Sequence, residues 1–113
     1  MPTYTQVASQ LLNDAAMFFK NVAESNADVA QDMLTNAEVF ENLAGLLLND
    51  PSGSTGGEAH TSMAAKLLGD SSKFFLSLAN DNEPIREQMT ENAKVFHEIS
   101  LRLADDPFGE IEE

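Results

Sequence analysis

A chain of 113 residues is long enough for one domain with a single core, and folding at this length buries roughly two-thirds of the surface that the unfolded chain exposes. Hydrophobic residues make up 42% of it, seven of them Phe, which excludes a disordered acidic tail. Nineteen acidic residues against six basic ones leave a net charge of −13, which disfavours nucleic acid and anionic membrane surfaces, and the lack of cysteine excludes disulfides, thiolate metal sites and a thiol nucleophile.

The first residues, Met1-Pro2-Thr3-Tyr4-Thr5-Gln6, lack the basic start and apolar run of a secretory signal. Apolar stretches such as Leu46-Leu47-Leu48 fall far short of the about 20 residues that a membrane span needs. A cytoplasmic location is the expectation.

From Tyr4 onward the apolar residues step by three and four. Tyr4, Ala8, Leu11, Ala15, Phe18 and Val22 form a stripe that Leu12 and Phe19 widen, which predicts a first helix. Ser25-Asn26 breaks it, and Ser25 with Asp28 three residues on reads as an N-cap pair for a second helix. Val29, Met33, Asn36, Phe40, Leu43 and Leu47 give that helix its stripe, and Asn49-Asp50-Pro51 stops it. Residues 51–58, Pro-Ser-Gly-Ser-Thr-Gly-Gly-Glu, read as a flexible linker.

Beyond the linker the sequence repeats itself without a gap at an offset of 56 residues. Thr5, Ala8, Leu11, Leu12, Asp14, Phe18, Phe19, Ala23 and Asn26 recur as Thr61, Ala64, Leu67, Leu68, Asp70, Phe74, Phe75, Ala79 and Asn82. Met33, Asn36, Ala37, Val39, Phe40, Leu47, Asp50, Pro51 and Gly53 recur as Met89, Asn92, Ala93, Val95, Phe96, Leu103, Asp106, Pro107 and Gly109. The charge is shared as well: residues 1–53 hold seven acids and one lysine, a net −6, and residues 57–113 hold twelve acids and five bases, a net −7.

The pattern predicts an all-α, single-domain protein: repeat 1 at about 4–53, repeat 2 at about 60–109, and an acidic tail over 105–113 that restarts the Asp-Pro-x-Gly motif. In the second repeat Asp81-Asn82 takes the cap position, Pro84 sits in a first helical turn, and helices are expected from about Thr61 to Ala79 and Glu83 to Ala104. Each repeat is a helical hairpin with one apolar stripe, so the two bury each other as an antiparallel four-helix bundle without strands. The linker permits pairing within a chain or between chains, and effective concentration favours the former.

Asp14, Asn36, Asp70 and Asn92 are the polar residues that the repeat keeps on or beside the stripes. With the turn near residues 25–26, Asp14 is expected level with Asn36, Phe18 with Met33, and Asp70 with Asn92. The first expectation is a hydrogen-bonded polar layer that fixes helix register. The alternative is a small-ligand or cation site built from the same four side chains.

Met33 and Met89 beside Phe read as core filler rather than haem ligands, so no cofactor or metal is expected. His97 reads as a surface residue, Ser71 and Ser72 have no histidine placed near them, and no phosphate loop, nucleophile elbow or metalloprotease motif occurs. A catalytic role is not expected.

Where the repeats differ, Leu34, Leu46 and Leu48 stand opposite Thr90, Arg102 and Ala104. Leu34 and Leu48 fall on one line of the second helix, Val39 and Leu46 on its shoulder, and Ala30, Ala37 and Ala44 form a shoulder small enough for close helix approach. Leu34, Val39, Leu46 and Leu48 are thus the candidate partner surface, for another protein or a second copy of the chain.

Overall fold

The structure, a computed structural model, describes residues 2–110. Four helices account for most of it: α1 (Tyr4–Ser25), α2 (Ala30–Asn49), α3 (His60–Asp81) and α4 (Arg86–Asp105). A single 3₁₀ turn precedes α2 (Ala27–Val29) and another precedes α4 (Glu83–Ile85), so the second hairpin carries the same elements as the first, 56 residues on.

Local chemistry explains the ends. Thr3 caps α1 with a capping box: its hydroxyl accepts from the Gln6 amide and its own amide donates to the Gln6 side chain. The break between α1 and α2 lies at Asn26 and that between α3 and α4 at Asn82, both in extended backbone. Their side-chain amides turn back onto the Val22 and Leu78 carbonyls, so these asparagines close the helices before them. Ser25 and Asp81 are therefore the last residues of α1 and α3, not caps of the helices that follow. Pro84 falls in the second 3₁₀ turn, where a missing N–H is tolerated.

Packing within each hairpin runs along small residues at heptad spacing. The Ser9 hydroxyl donates to the Ala44 carbonyl at 2.8 Å, Ser72 to Ala93 at 2.8 Å, and Ser100 to Ala65 at 2.7 Å. A serine reaches a carbonyl of the neighbouring helix only when the backbones lie close, and Ala16, Ala23, Ala37 and Ala79, all buried, continue these seams.

The hairpins pack on each other within one chain, mainly α1 against α3, flanked by α1 against α4 and α2 against α3. Six Phe rings meet there edge to face. Phe19 lies 5.1 Å from Phe40 and Phe75 5.0 Å from Phe96 within the hairpins, while Phe18 sits 5.3 Å from Phe75 and Phe19 5.5 Å from Phe74 between them. Phe19, Phe40, Phe75 and Phe96 are buried and Phe18 and Phe74 only half-buried, which shifts the centre of the α1 stripe to Ala8, Leu12 and Phe19. The reason is that α1 has two apolar neighbours: Leu12 and Phe19 are enclosed at the core's centre, whereas Leu11 and Phe18 border a groove beside α4.

The linker is more ordered than its composition suggests, and the expectation of a bundle without strands fails there. Ser54–Thr55 (β1) pairs antiparallel with Glu58–Ala59 (β2) across Gly56 and Gly57, whose φ angles of 60° and 85° are those of a two-residue hairpin turn. The Gly53 carbonyl accepts from the first amide of α3, His60, at 3.0 Å. Residues 106–110 repeat this contact on α1: Gly109 accepts from Tyr4 N at 3.0 Å, Glu110 bridges to Thr3, and the Thr5 hydroxyl donates to the Pro107 carbonyl. The expected acidic tail is thus docked up to Glu110, and 111–113 lie outside the described residues.

Two outcomes are expected in denaturant unfolding. Phe19→Ala or Phe75→Ala costs about 3–5 kcal/mol, and Phe18→Ala clearly less. Ending the chain after Asp105 costs about 1–3 kcal/mol, because the Tyr4 amide and Thr5 hydroxyl lose their acceptors.

Candidate functional site

The four polar residues do not form layers inside the hairpins. Asp14, Asn36 and Asp70 are exposed and Asn92 is half-buried, and no hydrogen bond joins Asp14 to Asn36 or Asp70 to Asn92. The seams of small residues explain this. They turn the Ala and Ser face of each helix toward its hairpin partner, which points the Asp and Asn faces toward the other hairpin.

There the residues meet in the opposite combination. Asp70 and Asn36 line one groove, between α2 and α3, of about 270 Å³, with Phe19, Phe40, Phe74 and Ser71 as walls. Asp14 and Asn92 line the matching groove between α1 and α4, of about 240 Å³, with Phe18, Phe75, Phe96 and Ala15. The grooves correspond position by position except that Ser71 stands where the other has Ala15 and that Val95 lines the α1/α4 groove without its counterpart Val39 lining the other. Ser71 is 2% exposed and its hydroxyl has no hydrogen-bond partner. An unsatisfied buried hydroxyl is uncommon, because it forfeits hydration without recompense.

Beside the α2/α3 groove, sharing Leu67 and Asp70 with it, lies a larger cleft of about 350 Å³. Val39, Leu43, Leu46, Met63 and Leu67 make it apolar, and Glu58, Lys66 and Asp70 rim it. Val39 and Leu46 are 48% and 37% exposed. The Lys66 ammonium lies 2.9 Å from Glu58, and that hydrogen bond and charge, with a smaller contribution from Asp70, hold its pKa above the ordinary lysine value. Of the proposed partner surface, then, Val39 and Leu46 share a cleft. Leu34 and Leu48 are exposed but line neither the cleft nor the grooves. Exposed apolar side chains also occur on the second hairpin, at Leu76, Val95 and Leu101, so the asymmetry is one of place rather than of amount.

His97 is exposed. His60 is buried at the head of α3, its Nδ1 2.9 Å from the Asp50 carbonyl and its Nε2 2.8 Å from the Thr55 hydroxyl, so it ties the β-turn to the bundle. Its matching residue, Tyr4, gave no signal of this. Among the described residues no group of three His, Cys, Asp or Glu is placed to hold a metal ion, and no helix is long and apolar enough to cross a membrane.

Fold and grooves define the chain as an antiparallel four-helix bundle with two interhairpin grooves. Compared with family models, with curated proteins and with solved structures, it matches none of them.

Because the Ser71 hydroxyl is buried and unsatisfied, Ser71→Ala is expected to leave stability unchanged or raise it by about 1 kcal/mol, read from the denaturation midpoint.

Proposed function

We propose that the chain is a non-enzymatic interaction protein of the cytoplasm that docks the apolar side of a basic, amphipathic helical segment of another protein in the cleft between α2 and α3. The observation that carries this reading is the cleft itself: Val39 and Leu46 stand exposed beside Leu43, Met63 and Leu67, under a rim where Lys66 pairs with Glu58 and the Asp70 carboxylate has no cation within 4 Å among the described residues. Apolar anchors at helical spacing suit such a floor, and lysines flanking them suit the rim. A net charge of −13 speeds the encounter with a cationic segment and opposes the approach of a second copy. At the matching place on α4, position 46 becomes Arg102, which suits neither an apolar anchor nor a cation.

The test uses the full chain and a synthetic amphipathic helix of leucine and lysine. Saturable one-to-one binding is expected by calorimetry, weakened about tenfold or more by Leu46→Arg, a residue this fold already accommodates at the matching position. Equal affinity of wild type and variant would sink the reading. Concentration-dependent dimers in sedimentation that Leu46→Arg abolishes would replace the foreign helix with a second copy of the chain.

A further inference from the structure

The 56-residue offset singles out surface residues that the fold itself does not explain. Among the eighteen positions identical in both hairpins, five pairs are exposed in at least one copy: Asp14/Asp70, Asn26/Asn82, Asn36/Asn92, Val39/Val95 and Asp50/Asp106. Two of these pairs have local work. Asn26 and Asn82 close α1 and α3 through the Val22 and Leu78 carbonyls. Asp50 and Asp106 close the turn that ends each hairpin through the backbone, their carbonyls accepting from the Gly53 and Gly109 amides at 3.0 Å, with their carboxylates filling the space beside those glycines. The side chains of the other three pairs make no hydrogen bond or ion pair among the described residues, and all three pairs line the interhairpin grooves or the cleft beside one of them.

We infer that each groove binds an alkylammonium group, its charge on Asp70 or Asp14 and its apolar stem against the Phe rings. The donor and acceptor inventory fits. An ammonium offers three N–H donors and no acceptor. In the α2/α3 groove Asp70 and Asn36 supply two acceptors, and Ser71, which lines the same groove, carries a buried hydroxyl without a partner. Phe19, Phe40 and Phe74 supply an aromatic wall that attracts a cation. Neither Asp14 nor Asp70 has a cation within 4 Å among the described residues, and the nearby Lys66 is held by Glu58.

A divalent metal fits less well. It takes six or so oxygen ligands, whereas each groove offers one carboxylate, one amide and, in one case, a hydroxyl. An anion would face the carboxylate and a protein of charge −13. Volumes of about 270 and 240 Å³ lie just below the usual range for ligand pockets, which suits a small amine or a single lysine side chain. The α2/α3 groove, with Ser71, is the tighter of the two. It also borders the apolar cleft at Leu67 and Asp70, so a lysine on a segment docked in that cleft lies near it.

The experiment is an amide-resolved NMR titration of the full chain with n-butylammonium chloride, with n-butanol and sodium chloride as neutral and ionic controls. A parallel arm uses Nα-acetyl-lysine amide, which presents the ammonium as a lysine does. Saturable shifts are expected at the Asn36 and Asn92 side chains and around Asp14, Asp70 and Ser71, with n-butanol and sodium producing neither. Asp14→Asn combined with Asp70→Asn weakens binding about tenfold or more, whereas Asp28→Asn with Asp32→Asn, exposed acids outside the grooves, leaves it unchanged. Ser71→Ala weakens the α2/α3 groove alone and brings the two sites to similar affinity. Saturation by n-butylammonium only marks a free amine as the ligand, and saturation by the lysine amide marks a side chain as its source. Shifts spread evenly over all acidic positions, or unchanged binding by the Asp14/Asp70 variant, would overturn the inference.

Discussion

Edge-to-face packing of Phe18 and Phe19 on α1 with Phe74 and Phe75 on α3 joins the two hairpins, and the two grooves lie on either side of this joint. Within a hairpin the helices approach closely through Ala and Ser, and the depression of about 620 Å³ between α3 and α4 lies on their outer face. Between hairpins the contact is made by large flat rings, and rings meeting edge to face cannot seal the flanks of the crossing as small residues do. The openings left on either side are floored by Phe and bordered by whatever the adjoining helix turns offer. Those turns offer Asp14 and Asn92 on one flank and Asp70 and Asn36 on the other. The aromatic joint thus provides cohesion and concavity at once.

A second constraint acts at the ends of the hairpins. Each Asp-Pro-x-Gly turn delivers a glycine carbonyl to the first amide of a helix in the other hairpin, Gly53 to His60 and Gly109 to Tyr4. The first amides of a helix lack intrahelical acceptors, so each contact satisfies a group that would otherwise need water or a side chain. The Thr3–Glu110 bridge takes up the register of Ser54 with Ala59, 56 residues away. The described chain therefore closes on itself almost as a ring, with its first and last residues paired where the β-turn sits at the other junction. The closure holds α1 and α4 side by side, as the linker holds α2 and α3, and keeps both grooves at their width.

Much of this was legible in the letters. Helix number, breaks near residues 26 and 82, and the antiparallel bundle follow from spacing and from Pro, Gly and Asn as interrupters. Three features were not. The phase of the α1 stripe was misjudged by one residue because Leu11-Leu12 and Phe18-Phe19 are apolar pairs, and hydropathy cannot rank two adjacent residues that both pack. The pairing of Asp with Asn was assigned within hairpins because the Ala and Ser seams carry almost no hydropathy signal, although they decide which faces touch. The turn between β1 and β2 was read as flexible. Its signal, Gly-Gly between Thr55 and Glu58, was present, but it lacked the alternating apolar flanks that usually announce a hairpin.

The differences between the hairpins also have a direction. On the outer face of α3 and α4, Lys73, Lys94, His97 and Leu101 stand where α1 and α2 have Met17, Glu38, Glu41 and Gly45, so the two outer faces differ in charge as well as in shape. Nothing of the kind happens in the grooves, where Asp, Asn and the Phe rings are the same in both. Packing accounts for the rings, since the joint needs them on both sides. It does not account for an exposed carboxylate and an amide, which contribute nothing to that joint and sit among aromatic side chains that would pack as well beside Ser or Thr. A carboxylate bordering an aromatic floor loses part of its hydration, and in a chain that already carries −13 it adds repulsion as well. Keeping that arrangement twice, while the outer faces go separate ways, is intelligible when an outside cation completes it.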